Sequence, residues 1–154
     1  MVPANVAGAD LKLVASTSNV LPFVIFAKQK NDPPIPKGAK IGISTFGSET
    51  DIAISLLLPK LGMKREDIEI TQVGGTAQRL AALIAGRLDL APLLEPSISQ
   101  ARARGFHPVV DLSTSGDAWV FDSVVITKTW ADANRDTLLR FLRGYIEEIG
   151  RAHV

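Results

Sequence analysis

A short apolar run that ends in a loop of small residues, residues 40–51, is the feature that most constrains the fold. It reads KIGISTFGSETD. Lys40–Ile43 has the composition of a buried strand, and the loop 44–48 leads into a helix that begins at about Ser48. A helix N-terminus after such a loop presents backbone N–H groups and the positive end of the helix dipole. The loop therefore predicts a binding site for a small anionic or polar ligand.

Strand and helix patterns alternate along the rest of the chain, which predicts an α/β fold with short turns. Strand patterns occur at 11–15, 20–27, 68–73, 88–94, 108–112 and 120–127, and helical patterns at 49–58, 77–86, 98–104, 130–134 and 136–147. The predicted buried faces comprise Ile52, Ala53, Leu56 and Leu57 in the first helix, and Leu80, Ala81 and Ile84 in the second. Pro59 lacks a backbone N–H and is expected to stop or kink the first helix near Ser55.

Composition excludes several classes of function. The 154 residues suffice for one domain with a core. Seventeen Lys and Arg against 16 Asp and Glu give a formal charge of +1, which indicates no nucleic-acid partner. The absence of cysteine excludes disulfides, cysteine zinc sites and thiol catalysis. No apolar run approaches the roughly 18 residues of a membrane span. Residues 1–8 lack the features of a signal peptide, as expected if the protein is cytosolic or its true N-terminus is missing.

Residues 149–154 are expected to be a non-native tail. Together with Glu148 they back-translate to GAG-ATC-GGA-AGA-GCA-CAC-GTC, which matches the start of a common short-read sequencing adapter. The alternative is a genuine helix end capped by Gly150. On the first interpretation His153 has no functional role.

Three predicted strands end in small polar loops, at 44–48, 74–76 and 95–97. Ligands bind at the carboxyl ends of strands in open α/β sheets, so these loops should share one edge. The alternative is ordinary capping, in which Ser48 and Thr76 bond the N–H groups of their own helices. The occurrence of such loops at corresponding strand ends favours binding, and Phe46 is the best candidate for an aromatic contact.

No catalytic residue, metal site or cofactor is predicted. His107 precedes Pro108 in a predicted turn and is assigned to the surface. Ser44 has no evident base partner. The acids Asp111, Asp117 and Asp122 are too dispersed to indicate a carboxylate pair or a metal site. The glycines fit neither the three-glycine dinucleotide motif nor the P-loop.

Three segments carry a resemblance to a known family: residues 40–51, QVGGTAQRLAALIAGRLD at 72–89, and RGFHPVVDL at 104–112. They resemble the solute-binding proteins of ABC importers, in the nitrate/sulfonate/taurine-like branch that also includes binders of thiamine-pyrimidine precursors. The resemblance runs from about residue 6 to residue 147, and segment 72–89 is its most specific part. It implies a periplasmic-binding-protein type II fold, in which two three-layer lobes, each a mixed sheet flanked by helices, clamp a ligand.

The resemblance also implies a division of the chain into lobes. Residues 1–27 correspond to the end of lobe one and the first crossover strand, 28–119 to a complete lobe two, and 120–148 to the return crossover strand and a helix of lobe one. The first lobe would then be incomplete. Apolar surface is therefore expected to be exposed on the strand 20–27 and on the helix face around Leu142.

The implied function is that of a non-enzymatic solute-binding component of an ABC import system, which closes on a small polar or anionic organic molecule. A membrane permease is the implied partner. The full-length protein is expected to be a monomer, in the periplasm or held outside the cytoplasm by a lipid anchor. Two alternatives are an enzyme on the same fold, of the thiamine-pyrimidine or menaquinone-pathway type, and the effector domain of a transcription regulator.

The residues expected to contact the ligand on this resemblance are Asn19, Ser44, Thr45, Phe46, Gly47, Ser48, Glu49, Gly75, Thr76 and Glu95. Asn19 would lie on the hinge side. Glu95 stands where a neutral residue is commoner in the family. Together with Glu49, it weakens the case for a simple oxyanion as the ligand.

Overall fold

The computed structural model describes residues 8–116 and 118–151. The strands are β1 (Leu11–Ser18), β2 (Val24–Ala27), β3 (Lys40–Ile43), β4 (Glu69–Gln72), β5 (Leu90–Leu93), β6 (His107–Asp111) and β7 (Phe121–Thr127). The helices are α1 (Glu49–Lys60), α2 (Thr76–Ile84), α3 (Ser97–Ala103), α4 (Lys128–Ala133) and α5 (Arg135–Arg151). The chain divides into two compact units, Val20–Asp117 and a second unit that joins residues 1–19 to residues 118–154. Asp117 and His153 lie outside the described residues.

The unit Val20–Asp117 contains a five-stranded mixed sheet in the order β4-β3-β5-β2-β6. Strand β3 pairs in parallel with β4 and β5, whereas β2 pairs antiparallel with β5 and β6. The parallel strands are each followed by a loop and a helix, as the alternating sequence pattern predicts. The α/β class and the mixed sheet are therefore confirmed.

Strand β2 covers residues 24–27 of the run 20–27, whose assignment as a crossover between lobes stays a prediction. It lies inside the sheet, and all four of its residues are buried. An unbroken apolar run suits a strand covered on both faces as well as it suits a lobe crossing, so the pattern did not separate the two. Leu21 and Phe23 are also buried, so the predicted exposure of apolar surface on this segment is wrong.

Helix α1 is longer than predicted, because Pro59 lies in its last turn and does not stop it near Ser55. A proline there removes only the bond to the carbonyl of Ser55, which is an exposed residue. The helix ends at Lys60, and Gly62 follows two residues later with φ +67°. The N–H groups of Gly62 and Met63 donate to the carbonyls of Pro59 and Leu58 at 3.0 and 2.9 Å, which is the Schellman pattern.

The buried faces of α1 and α2 differ from the predicted ones. The buried residues are Thr50, Asp51, Ala53, Ile54, Leu57 and Leu58 in α1, and Arg79, Leu80, Ala82 and Leu83 in α2. Ile52, Leu56 and Ile84 are 39–47% exposed. Each face is rotated towards a charged residue, Asp51 or Arg79, that is buried because hydrogen bonds satisfy it.

Gly42 in β3 packs directly against Leu88. A Cβ atom at position 42 would lie 2.5 Å from Leu88 Cδ1. Gly42→Ala is therefore expected to lower the free energy of unfolding by about 1–3 kcal/mol, measured by urea denaturation. The same change in a Leu88→Ala background should cost clearly less, since the clashing methyl group is gone. An equal cost in both backgrounds would contradict this account.

The second unit pairs β1 with β7 in a two-stranded antiparallel ribbon, followed by α4 and α5. The Thr127 hydroxyl accepts the Trp130 N–H at 3.2 Å and so caps α4. No residue of α5 is buried, and Phe141 and Ile146 are 50% and 67% exposed, which confirms the predicted apolar surface around Leu142.

Residues 149–151 continue α5, whereas 152–154 lie outside the described part of the chain. Across the described ranges, no helix has both the length and the apolar character to cross a membrane.

Candidate functional site

An open pocket of about 500 Å³ lies at the carboxyl ends of β3 and β5, where the N-termini of α1 and α2 meet. The pocket is lined by Phe23, Ser44, Gly47, Ser48, Glu49, Thr50, Ile52, Gly75, Thr76, Arg79 and Leu94. Strands β3, β4 and β5 run in the same direction, so the loops that follow them share this edge, as predicted.

Six of the ten predicted contact residues line this pocket: Ser44, Gly47, Ser48, Glu49, Gly75 and Thr76. Thr45, Phe46 and Glu95 are not among its lining residues, and the Phe46 ring is 60% exposed. Asn19 belongs to the second unit, where its carbonyl accepts the Trp119 N–H at 2.8 Å. The ligand contacts themselves stay a prediction.

Two other pockets of about 430 and 460 Å³ lie elsewhere in the same unit. The first is lined by residues near the start of β3, including Lys28, Lys37 and Asp89. The second lies along β4 and the outer side of α2, beside Gln78 and Arg87. Neither of these pockets lies at two helix N-termini. The pocket at the carboxyl ends of β3 and β5 is therefore the better candidate for a ligand-binding site.

The loop 44–48 does not offer the free N–H groups that its composition suggested. All five N–H groups have partners: Ser44 donates to Thr50 Oγ1 (2.9 Å), Thr45 to Ser48 Oγ (3.5 Å), Phe46 to Gln72 Oε1 (3.2 Å), Gly47 to Asp51 Oδ2 (2.7 Å) and Ser48 to the Thr45 carbonyl (3.2 Å). The donors available to a ligand are instead the N–H groups of Thr50 and Asp51 in the first turn of α1, where Ser48 makes no side-chain capping bond.

Three hydroxyl groups form a cluster at the entrance to α1. Ser44 Oγ donates to Ser48 Oγ at 2.8 Å, and Thr50 Oγ1 lies 3.0 Å from each of them. A hydroxyl both donates and accepts, so this cluster can reorient towards a ligand oxygen without leaving a group unsatisfied.

Helix capping accounts for the position of the Glu95 side chain, but it does not account for those of Ser48 and Thr76. Glu95 Oε2 accepts the N–H of Ser99 at 3.2 Å and its hydroxyl at 2.9 Å, at the start of α3. The carboxylate is therefore bound to its own helix. Thr76 is the first residue of α2, and its hydroxyl accepts from Arg79 at 3.1 Å instead of capping the helix.

Arg79, which no sequence pattern indicated as a site residue, is buried beneath the pocket with 2% of its surface exposed. Its guanidinium donates to the carbonyls of Pro92 (2.9 Å) and Gly74 (2.6 Å) and to the Thr76 hydroxyl (3.1 Å). Burial lowers the pKa of Arg79 to about 10, so the side chain remains charged at neutral pH. The sequence places Arg79 three residues after Thr76, on the same side of the helix, and beside Leu80, which is predicted to be buried. This placement could have indicated that Arg79 lies near the helix N-terminus and next to its buried face.

Asp51 is a second charged side chain whose burial the sequence pattern did not predict. Its carboxylate accepts the Gly47 N–H at 2.7 Å and an Arg65 guanidinium N–H at 2.6 Å. Burial alone would raise the pKa of Asp51, but the bonds from Gly47 and Arg65 outweigh this effect and hold the pKa below its usual value. Asp51 thereby fixes the loop at Gly47, whose φ is +78°.

The predicted surface position of His107 is correct, although it lies in β6 and not in a turn. Within residues 8–116 and 118–151, no three His, Asp or Glu side chains come together in a group that could hold a metal ion.

The mixed sheet order and the pocket at helix N-termini define one lobe of a periplasmic-binding-protein type II fold. The solved structures similar to this chain are of that kind. The periplasmic aliphatic sulphonate binding protein SsuA from Escherichia coli is 25% identical, with a TM-score of 0.72 over 97% of this chain and 50% of that protein.

Two further solved structures are similar to this chain over most of its length. SsuA from Xanthomonas axonopodis pv. citri, bound to MOPS, is 21% identical with a TM-score of 0.67, over 95% of this chain and 50% of that one. The ligand-binding component of an ABC-type import system from Staphylococcus aureus, with zinc bound, is 19% identical with a TM-score of 0.71, over 93% and 50%. The chain thus spans about half the length of these proteins. No family model and no curated protein matches it. The fold and the resemblance to ABC substrate-binding proteins predicted from the sequence are confirmed.

Proposed function

We propose that this chain is part of the solute-binding component of an ABC import system and that its pocket holds one side of a small polar or anionic organic molecule. The observation that carries the proposal is the meeting of two helix N-termini over a buried guanidinium at one open pocket. Backbone N–H groups and a buried cation suit an oxygen-rich ligand. Two similar structures are sulfonate-binding proteins, which makes an organic sulfonate the first ligand to test.

The remaining roles follow from the same proposal. The unit Val20–Asp117 corresponds to lobe two, and the strands and helices of the second unit to part of lobe one, with Asn19 on the hinge side. The partner is a membrane permease, and the full-length protein works as a monomer outside the cytoplasm. No catalytic step is proposed, because the described partners of Ser44 are the hydroxyl groups of Ser48 and Thr50 and the backbone N–H of Gly74 rather than a base.

Titration of the ¹⁵N-labelled chain with methanesulfonate, followed by NMR, tests the proposal. The amide signals of Thr50, Asp51, Gly75 and Thr76 are expected to shift, with a dissociation constant of roughly millimolar order because only one side of the cleft contributes contacts. Signals of Lys28 and Lys37, at another pocket, should stay in place. Shifts that are absent or no larger at the proposed pocket than elsewhere would contradict the assignment.

A pair of matched variants locates the binding. Ile52 and Leu56 are one turn apart on α1 and are 39% and 40% exposed, but only Ile52 lines the pocket. Ile52→Glu places a negative charge at the ligand and should abolish the shifts caused by methanesulfonate. Leu56→Glu adds the same charge outside the pocket and should preserve them. Equal behaviour of the two variants would place the binding elsewhere.

A further inference from the structure

The charge of Arg79 lacks a carboxylate partner among the described residues. Its three acceptors are two backbone carbonyls and a hydroxyl group, all of them neutral. The buried acid Asp51, by contrast, is paired with Arg65 at 2.6 Å. A buried charge normally has a counter-charge, because removal from water is costly and neutral dipoles compensate only in part. The floor of the pocket therefore carries an unbalanced positive charge.

We propose that Arg79 determines the charge preference of the pocket, because the bound ligand supplies the negative charge that balances the buried guanidinium. This inference rests on the proposed function, since it requires the pocket to bind a ligand. The guanidinium uses three of its five N–H donors on Gly74, Thr76 and Pro92, which hold it in place beneath the N-terminus of α2. The dipole of α2 adds to the same positive field.

Glu49 lines the same pocket and has the opposite charge, but it does not cancel that field. It is exposed, so water and salt screen it, whereas the charge of Arg79 is screened much less. Glu49 therefore weakens the attraction of the pocket for an anion without reversing it. The two residues should consequently have effects of opposite sign on anion binding.

The experiment compares methanesulfonate with dimethyl sulfone, a neutral molecule of nearly the same shape, by NMR titration of the whole 154-residue chain. The anion is expected to bind about tenfold or more tightly than the sulfone. Arg79→Met should remove that preference, and Glu49→Gln should increase it. The Arg79 side-chain Nε–H signal should shift with the anion and hardly at all with the sulfone.

Loss of folding is separated from loss of selectivity by two measurements. Circular dichroism melting is recorded for each variant, and Arg79→Lys keeps the charge while losing the planar set of donors. A folded Arg79→Lys protein should retain the preference for the anion even if both probes bind more weakly, whereas a folded Arg79→Met protein should lose it. If Arg79→Met does not fold, the Arg79 Nε–H signal decides, because it should shift with the anion and hardly at all with the sulfone.

Equal binding of the two probes to the wild-type chain would overturn the role of Arg79 while leaving the proposed function in place. An unchanged preference in a folded Arg79→Met variant would do the same. If neither probe shifts the signals of the pocket residues, the proposed function fails and this inference fails with it.

Discussion

Phe26→Ala is expected to lower the free energy of unfolding of the unit Val20–Asp117 by about 3–5 kcal/mol. Phe26 lies in the middle of β2 with 0% of its surface exposed, packed in a cluster with residues of α2, α3 and β5. Truncation removes a large apolar side chain and leaves a cavity that the flanking strands of the sheet cannot close. Urea denaturation followed by circular dichroism measures the loss.

The matched control for this variant is Phe46→Ala, the same change at a ring that is 60% exposed. Its cost should stay within about 0.5 kcal/mol, because little apolar surface is buried there. The comparison also tests the burial of β2 inside the sheet, since an exposed strand would lose far less at Phe26. Similar losses in the two variants would contradict the sheet order described above.

The local pattern of residues 40–51 predicted its structure well, because every signal in it is local. The β-branched run, the small polar loop and the helix start are read within twelve neighbouring positions, and β3, the loop and α1 follow the prediction. The position of β2 could not be obtained in this way. Its pairing with β5 and β6 joins residues far apart in the chain, and a short apolar run such as residues 20–27 is compatible with several positions.

The predicted helix faces were correct at Ala53, Leu57 and Leu80 but wrong elsewhere, because apolar periodicity counts charged residues as exposed. Asp51 and Arg79 are buried, and each is held by hydrogen bonds to groups that only the folded structure brings near. Their burial rotates α1 and α2 so that Ile52 and Ile84 are partly exposed. The apolar face of Ile52 then becomes available as a wall of the pocket.

The location of the site could be predicted from the sequence, but the orientation of its hydrogen-bond donors could not. The edge of the sheet followed from the rule for strand ends, and six predicted residues do line the pocket there. The orientation of the donors did not follow, because Asp51 takes the N–H of Gly47 and the hydroxyl of Thr50 takes that of Ser44. A loop of small residues is thus a scaffold that shapes the pocket, while the helix ends and Arg79 supply its charge.

The position of the loop 44–48 depends on Asp51. Asp51→Asn is therefore expected to lower the free energy of unfolding by about 1.5–3 kcal/mol at pH 7, because hydrogen bonds to a charged group usually contribute that much. Asparagine keeps the shape and one acceptor for the Gly47 N–H, but it loses the charge that faces Arg65. The nearby control Glu66→Gln removes an exposed carboxylate whose ion pair with Lys64 is 3.9 Å long, and should change stability by less than about 0.5 kcal/mol.

The pH dependence of the Asp51→Asn effect identifies its cause. The pKa of Asp51 is lower in the folded protein than its ordinary value of 3.8, so the carboxylate stabilises the fold fully above that value. This contribution is lost as the pH falls through the folded pKa. The difference in unfolding free energy between wild type and Asp51→Asn, measured in urea at pH 7, 5, 4 and 3, should therefore be constant down to about pH 5 and shrink below about pH 4. A difference that stays constant to pH 3 would mean that the loss arises from packing around the new amide, and that the charge of Asp51 does not hold the loop.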